Sequence, residues 1–152
     1  MKDLKTFIRA VLAGLCIGLG GAVYLSLDNK IVGSALFTIA LFTICTFGYN
    51  LYTGKVAHLF DNDRRYIIDV ILIWLGNFVG CWTTAQLYGM TRIAGIAEKA
   101  AAVCEVKLAD DLLSVFILGI FCNVCIVIGV DGFKQNPHEL GKERCNQSGD
   151  ST

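Results

Sequence analysis

The stretch CTFGYNLYTGKVAHLF, Cys45 to Phe60, decides how this chain is read. It closes an uncharged run that starts at Ile31, and Gly48, Asn50, Thr53 and Gly54 crowd together inside it. An uninterrupted apolar helix does not concentrate glycine and polar residues in this way. Either a helix leaves the membrane here, or it breaks within it. At about 1.5 Å per residue, Gly48 lies roughly 26 Å along from Ile31, most of the way across a bilayer. Length therefore permits an exit. The apolar VAHLF, Val56 to Phe60, stands before the charged DNDRR and argues for a break, since an exit loop seldom turns apolar again. A broken helix also presents N–H groups and a positive helix end, which suit an anion.

The surrounding sequence supports a membrane reading. Of the 152 residues 55% are hydrophobic and 17% charged, with a mean hydropathy of +0.59 and a formal net charge of zero. The balanced charge gives no case for a nucleic-acid partner. The charges cluster, leaving Ala10–Leu27, Ile31–Gly54, Val70–Thr91 and Leu112–Val130 without any. Each run has the length that spans a bilayer, about 17–25 residues. None carries the polar face that a soluble bundle needs. The chain is therefore expected to be an all-α integral membrane protein in contact with a lipid bilayer. Its spans fall near 6–27, 31–60 (span two, broken), 66–89 and 107–130. The first run follows Lys2, Lys5 and Arg9 as a signal peptide would, but its length and the later spans favour a segment that stays.

With alternating spans and the N-terminus inside, the inner segments hold nine Lys and Arg residues and the outer segments four. By the positive-inside rule both termini are cytoplasmic. TRIAGIAEKAAAVCEV, Thr91 to Val106, reads as an amphipathic helix at the outer interface. Residues 1–138 form the membrane domain, and 139–152 read as a polar, disordered cytoplasmic tail.

Gly14 and Gly18, and likewise Gly76 and Gly80, stand in G-x-x-x-G spacing, which lets helix backbones approach closely. Packing within one chain is the simpler reading of both. Asn77 and Asn123 lie near mid-span. Each either hydrogen-bonds a neighbouring helix, holds a broken backbone, or faces a pathway. Lys5 and Lys107 begin spans one and four, where they either snorkel to the interface or draw anions to a pore mouth. Five of the seven cysteines lie in apolar runs, and the Cys122–Cys125 pair has no second pair and no nearby histidine. These read as packing residues. No metal-ligand spacing, phosphate loop or nucleophile–base pair is present, so no cofactor and no enzyme activity is expected. Asn136–His138, NPH, lies in the polar tail.

Four stretches together resemble the formate/nitrite transporter family of anion channels. They are LKTFIRAVLAGLCIGLGG (4–21), GYNLYTGK (48–55), WLGNFVG (74–80) and LGIFCNVCIVIGV (118–130), with Lys107 sixteen residues before Asn123. The resemblance implies an aquaporin-like helical bundle of six spans in two inverted repeats, with helices two and five broken, assembled as a homo-pentamer. It implies passive or proton-coupled movement of small monovalent anions such as formate or nitrite, in a bacterial-type inner membrane. Carried over, Leu51, Tyr52 and Thr53 fall on the constriction and central polar site, and Thr53 hydrogen-bonds the anion. Asn123 supports the loop or lines the path, while Lys5 and Lys107 supply positive potential at the vestibules. Gly48, Asn50, Gly54 and Asn77 pack the loop and its helices. The likeness covers spans one to four, and the family's central histidine falls beyond them. His58 and His138 do not match its position, and Ser114 stands where the family has a glutamate. The expectation is a chain truncated from a six-span repeat. The alternative function is a non-transporting membrane fragment or assembly subunit.

Overall fold

The computed structural model describes residues 2–92 and 95–135, with side chains described as far as 133. Six helices follow one another: α1 Lys2–Ser26, α2 Lys30–Phe47, α3 Tyr52–Val56, α4 Tyr66–Gly89, α5 Ile96–Leu108 and α6 Leu112–Gln135. The described residues contain no strand. Among them α1, α2, α4 and α6 are long and apolar enough to cross a membrane.

The centre of the bundle is the pair α1 and α4, which run parallel. Small residues make this possible. A Cβ on Gly76 would lie 2.6 Å from the Ala10 Cβ, and one on Gly18 2.7 Å from the Thr84 Cβ. A Cβ on Gly14 would run into the backbone of Asn77, and one on Gly80 into the carbonyl of Val11. The two G-x-x-x-G motifs thus face each other across one interface. Cys81 donates its thiol hydrogen to the Gly14 carbonyl at 3.3 Å, adding a contact that only this close approach permits. Ala10, Ala13, Val70, Ile73 and Thr84 are buried here. With little hydrophobic drive between helices in lipid, such close van der Waals packing is what holds them together.

A tight turn joins α1 to α2. The Asn29 side chain accepts from the N–H groups of Ile31 (3.0 Å) and Val32 (3.3 Å), capping the free donors of the new helix. Lys30 lies over the Tyr24 ring, 4.8 Å from its centroid. Lys99 on α5 meets Asp28 of this turn at 3.4 Å, tying α5 to the same end of the bundle. The outer helix expected around Thr91–Val106 forms as α5, with Ile96 and Ala100 half-buried and none of its residues fully buried.

Three helix ends lie away from the expected span ends. α1 begins at Lys2, before Thr6. α6 begins at Leu112, after Lys107, and reaches Gln135, beyond Val130. Asp111 causes the second shift: its carboxylate accepts from the Leu113 N–H at 3.2 Å and opens a new helix there. Asp110 accepts from the Ser114 hydroxyl at 2.9 Å. Lys107 therefore lies in the last turn of α5, not at the start of span four. The expected tail at 139–152, His138 and Cys145 lie outside the described residues.

Candidate functional site

The second membrane helix stops at Phe47. Gly48 adopts φ 64°, ψ 33°, the left-handed conformation that ends a helix. Its N–H donates to the Cys45 carbonyl at 3.3 Å, and the Tyr49 N–H donates to Ile44 at 2.9 Å. This pair of bonds is the Schellman arrangement, and it satisfies two carbonyls that the helix end would otherwise leave free. Phe47 and Tyr49 stack across the turn with ring centroids 5.7 Å apart.

The next residues are non-helical and are pinned by the neighbouring helices. The Asn50 N–H donates to the Arg9 carbonyl at 3.3 Å, and the Asn50 side-chain amide donates to the Thr6 carbonyl at 3.3 Å. Asn77 then makes three bonds. Its Oδ1 accepts from the Tyr52 N–H at 2.8 Å, while its Nδ2 donates to the carbonyls of Asn50 at 2.9 Å and Ala10 at 2.8 Å. One side chain thus links both edges of the gap to α1. From Tyr66, the start of α4, Asn77 lies about 16 Å along the helix at 1.5 Å per residue. That depth places the gap inside a bilayer-sized bundle and settles the opening question in favour of a break. Irregular backbone survives there because protein groups pair its donors and acceptors.

After the break the chain makes one helical turn, α3. It begins at Tyr52, directly after the non-helical residues, and residues 57–60 turn rather than continue the helix. The reason is Asn77, which takes the Tyr52 N–H and so acts as the cap that Leu51 does not provide. The Tyr66 hydroxyl donates to the Lys55 carbonyl at 3.0 Å, closing the far end of the turn onto α4. Gly54 is buried, and a Cβ on it would lie 3.7 Å from Val130 of α6.

A cavity of about 100 Å³ lies along the break. Gly48, Asn50, Leu51 and Gly54 line it, with Ile44, Cys45, Tyr49 and Lys55 beside them and Val130 opposite. Among the described residues, two buried polar side-chain atoms have no hydrogen-bond partner: Thr53 Oγ1 and Asn123 Oδ1. Buried hydroxyls and amides are rarely left so, and each calls for an explanation. The Asn123 amide nitrogen turns back to the Gly119 carbonyl of its own helix at 2.9 Å.

The structure therefore gathers Gly48, Asn50, Leu51, Tyr52, Gly54 and Asn77 into one assembly with Thr53. Lys5 stands exposed in the first turns of α1, and Lys107 is exposed at the end of α5. The parts that sequence reading missed are the carbonyls of Thr6, Arg9 and Ala10 and the hydroxyl of Tyr66. Main-chain acceptors carry no residue-type signal. Among the described residues no group of three or more His, Cys, Asp or Glu side chains is placed to hold a metal ion.

An all-α membrane protein with one interrupted span, plugged at depth by side-chain amides, is the class that this fold defines. The sequence profile of the formate/nitrite transporter family matches residues 1–142, and the chain belongs to that family. It is a family of anion transporters rather than enzymes. No curated protein and no solved structure gives a match to the chain.

Proposed function

We propose that the chain carries small monovalent anions, formate or nitrite among them, through a channel-like path that passes the break at residues 48–53. The observation that carries this reading is the Thr53 hydroxyl. It is buried, has no protein partner, and lies in the first turn after the break. A donor left unpaired in a dry site costs free energy unless something else accepts from it. A permeating carboxylate or nitrite oxygen is such an acceptor. Leu51 and Tyr52 form the narrow apolar collar that strips water from the anion, and Asn77 fixes the backbone on which all three ride. Asn123, with its own unpaired Oδ1, is the second polar station. An anion offers that oxygen no hydrogen, so a protonated substrate or a water molecule meets it instead.

Lys5 and Lys107 raise the local anion concentration at the two ends of the path. The proposed setting is a bacterial-type inner membrane with both termini cytoplasmic. The proposed assembly is a pentamer of aquaporin-like protomers, each with its own path. The test is uptake of labelled formate and nitrite by liposomes holding the purified chain. Uptake above that of empty liposomes supports the reading.

A second reading has one observation in its favour. Among the described residues of α6, 112 to 133, none is buried, so the wall it offers the path is thinly supported. A subunit that packs with other membrane proteins without conducting would give liposomes as tight as empty ones.

A further inference from the structure

A second cavity, of about 380 Å³, lies at the end of the bundle where α5 sits, and it shares no residue with the one along the break. The last turns of α1 and α4 form its walls and α5 its roof. On α4 it reaches from Cys81 to Gly89, roughly 12 Å at about 1.5 Å per residue. There is room inside: a Cβ on Gly21 or on Gly89 would meet nothing within 4 Å. From α5, Ile96 and Ala100 line it, both half-buried, while Lys99 meets Asp28 at 3.4 Å. Among the described residues no charged side chain lines this space. Two of its polar side chains are spent within the bundle, Thr84 on the Gly80 carbonyl at 3.0 Å and Cys81 on that of Gly14 at 3.3 Å. The third, the Tyr88 hydroxyl, bonds no described residue.

We infer that this cavity is a phospholipid site, filled by one acyl chain whose ester carbonyl accepts from the Tyr88 hydroxyl. Its volume falls in the range of small-ligand sites, about 300–1,000 Å³. Left empty, a void of that size would forfeit packing contacts for every group around it. Water is a poor occupant, because each molecule needs about two to four polar partners and one hydroxyl is all the lining has left. Hydrocarbon suits the lining, and acyl chains are what surround two bilayer-crossing helices at this depth. Tyr88 stands at the end of α4, where a bilayer turns from chains to ester groups. Charge agrees with this. Arg92, exposed, follows three residues after Gly89 and suits the phosphate that an ester-linked lipid carries nearby. Lys99 and Lys30 at the same end are engaged, with Asp28 and with the Tyr24 ring. The bound chain also gives α5 packing it otherwise lacks, since none of its residues is fully buried. The site stands apart from the proposed path, so it holds whether or not the chain conducts.

The test is photolabelling of the full chain in nanodiscs containing a small fraction of phosphatidylcholine with a diazirine in one acyl chain, the adducts being mapped by mass spectrometry. Label is expected on residues 96–100, and also on Trp74 and Phe78, which are exposed on α4. Gly21→Leu and Gly89→Leu each fill the cavity. Both should lose most of the label on 96–100 and keep that on Trp74 and Phe78, which reports that the protein is folded and in lipid. Gly119→Leu, on α6 with equally open space, should keep both labels. Tyr88→Phe removes one hydrogen bond and should lower the label on 96–100 about two- to tenfold. Arg92→Gln should lower it for the phospholipid and leave it unchanged for a diazirine-bearing alkane, which has no phosphate. Label on 96–100 as strong in both filled variants as in the wild type overturns the inference. So does a cross-link from these residues to a second copy in place of lipid, or a phospholipid label that neither Tyr88→Phe nor Arg92→Gln reduces.

Discussion

The Oδ1 of Asn77 accepts the Tyr52 N–H at 2.8 Å while the same amide donates to Asn50 and Ala10. One residue of α4 thereby closes a gap in the second span and ties it to α1. Replacing it with leucine, Asn77→Leu, keeps the bulk and removes all three bonds. Tyr52 then has an unpaired buried donor. The expected loss of stability is on the order of 2–4 kcal/mol, since membrane side-chain bonds are worth about 0.6–2 and an orphaned donor about 1–3. Denaturation in detergent measures it. A variant as stable as the wild type would remove Asn77 from its central place.

Gly48 tests the helix end separately from packing. A Cβ there meets nothing within 4 Å, yet its φ is +64°. Gly48→Ala is therefore expected to cost about 1–2 kcal/mol through backbone strain alone. Gly119→Ala, in the interior of α6 with equally open space, is expected to be neutral or stabilising by up to about 1 kcal/mol. Paired thermal melts in one detergent distinguish the two. Equal shifts would mean that the left-handed cap is unimportant.

The interface of α1 and α4 makes the sharpest packing prediction. Gly80→Leu has no room, because its side chain would drive into the Val11 carbonyl, Leu15 and Gly14. It should separate the helices and reduce folded protein several-fold on size exclusion. Gly21→Leu lies on the same helix as Gly14, meets nothing within 4 Å, and should fold as the wild type does. If both behave alike, the facing glycine motifs do not hold the bundle together.

The sequence made the four spans legible because charge is excluded from hydrocarbon, and the gaps between charges mark the spans. The break was legible in composition, in the crowding of Gly48, Asn50, Thr53 and Gly54, whereas the left-handed turn at Gly48 came from the structure. What Asn77 does was not legible. A mid-span asparagine has several possible partners, and its choice depends on a fold that brings Ala10, Asn50 and Tyr52 to one point. The start of α6 was open to reading but not read: Asp110 and Asp111 stand directly before LLS, an ordinary helix-start signal. The start of the helical turn after the break was not legible, because its cap comes from α4 and no local residue announces it.

The flux of labelled formate into liposomes containing the wild type, Thr53→Val or Thr53→Ser tests the central claim most directly. Valine keeps the shape and removes the donor, and serine restores the donor. A lost bond to a charged partner is worth about 1.5–3 kcal/mol, so Thr53→Val should lower the flux at least tenfold while Thr53→Ser retains most of it. Equal flux in all three would contradict the claim that this hydroxyl meets the anion. Wild-type liposomes as tight as empty ones would contradict transport through the break altogether.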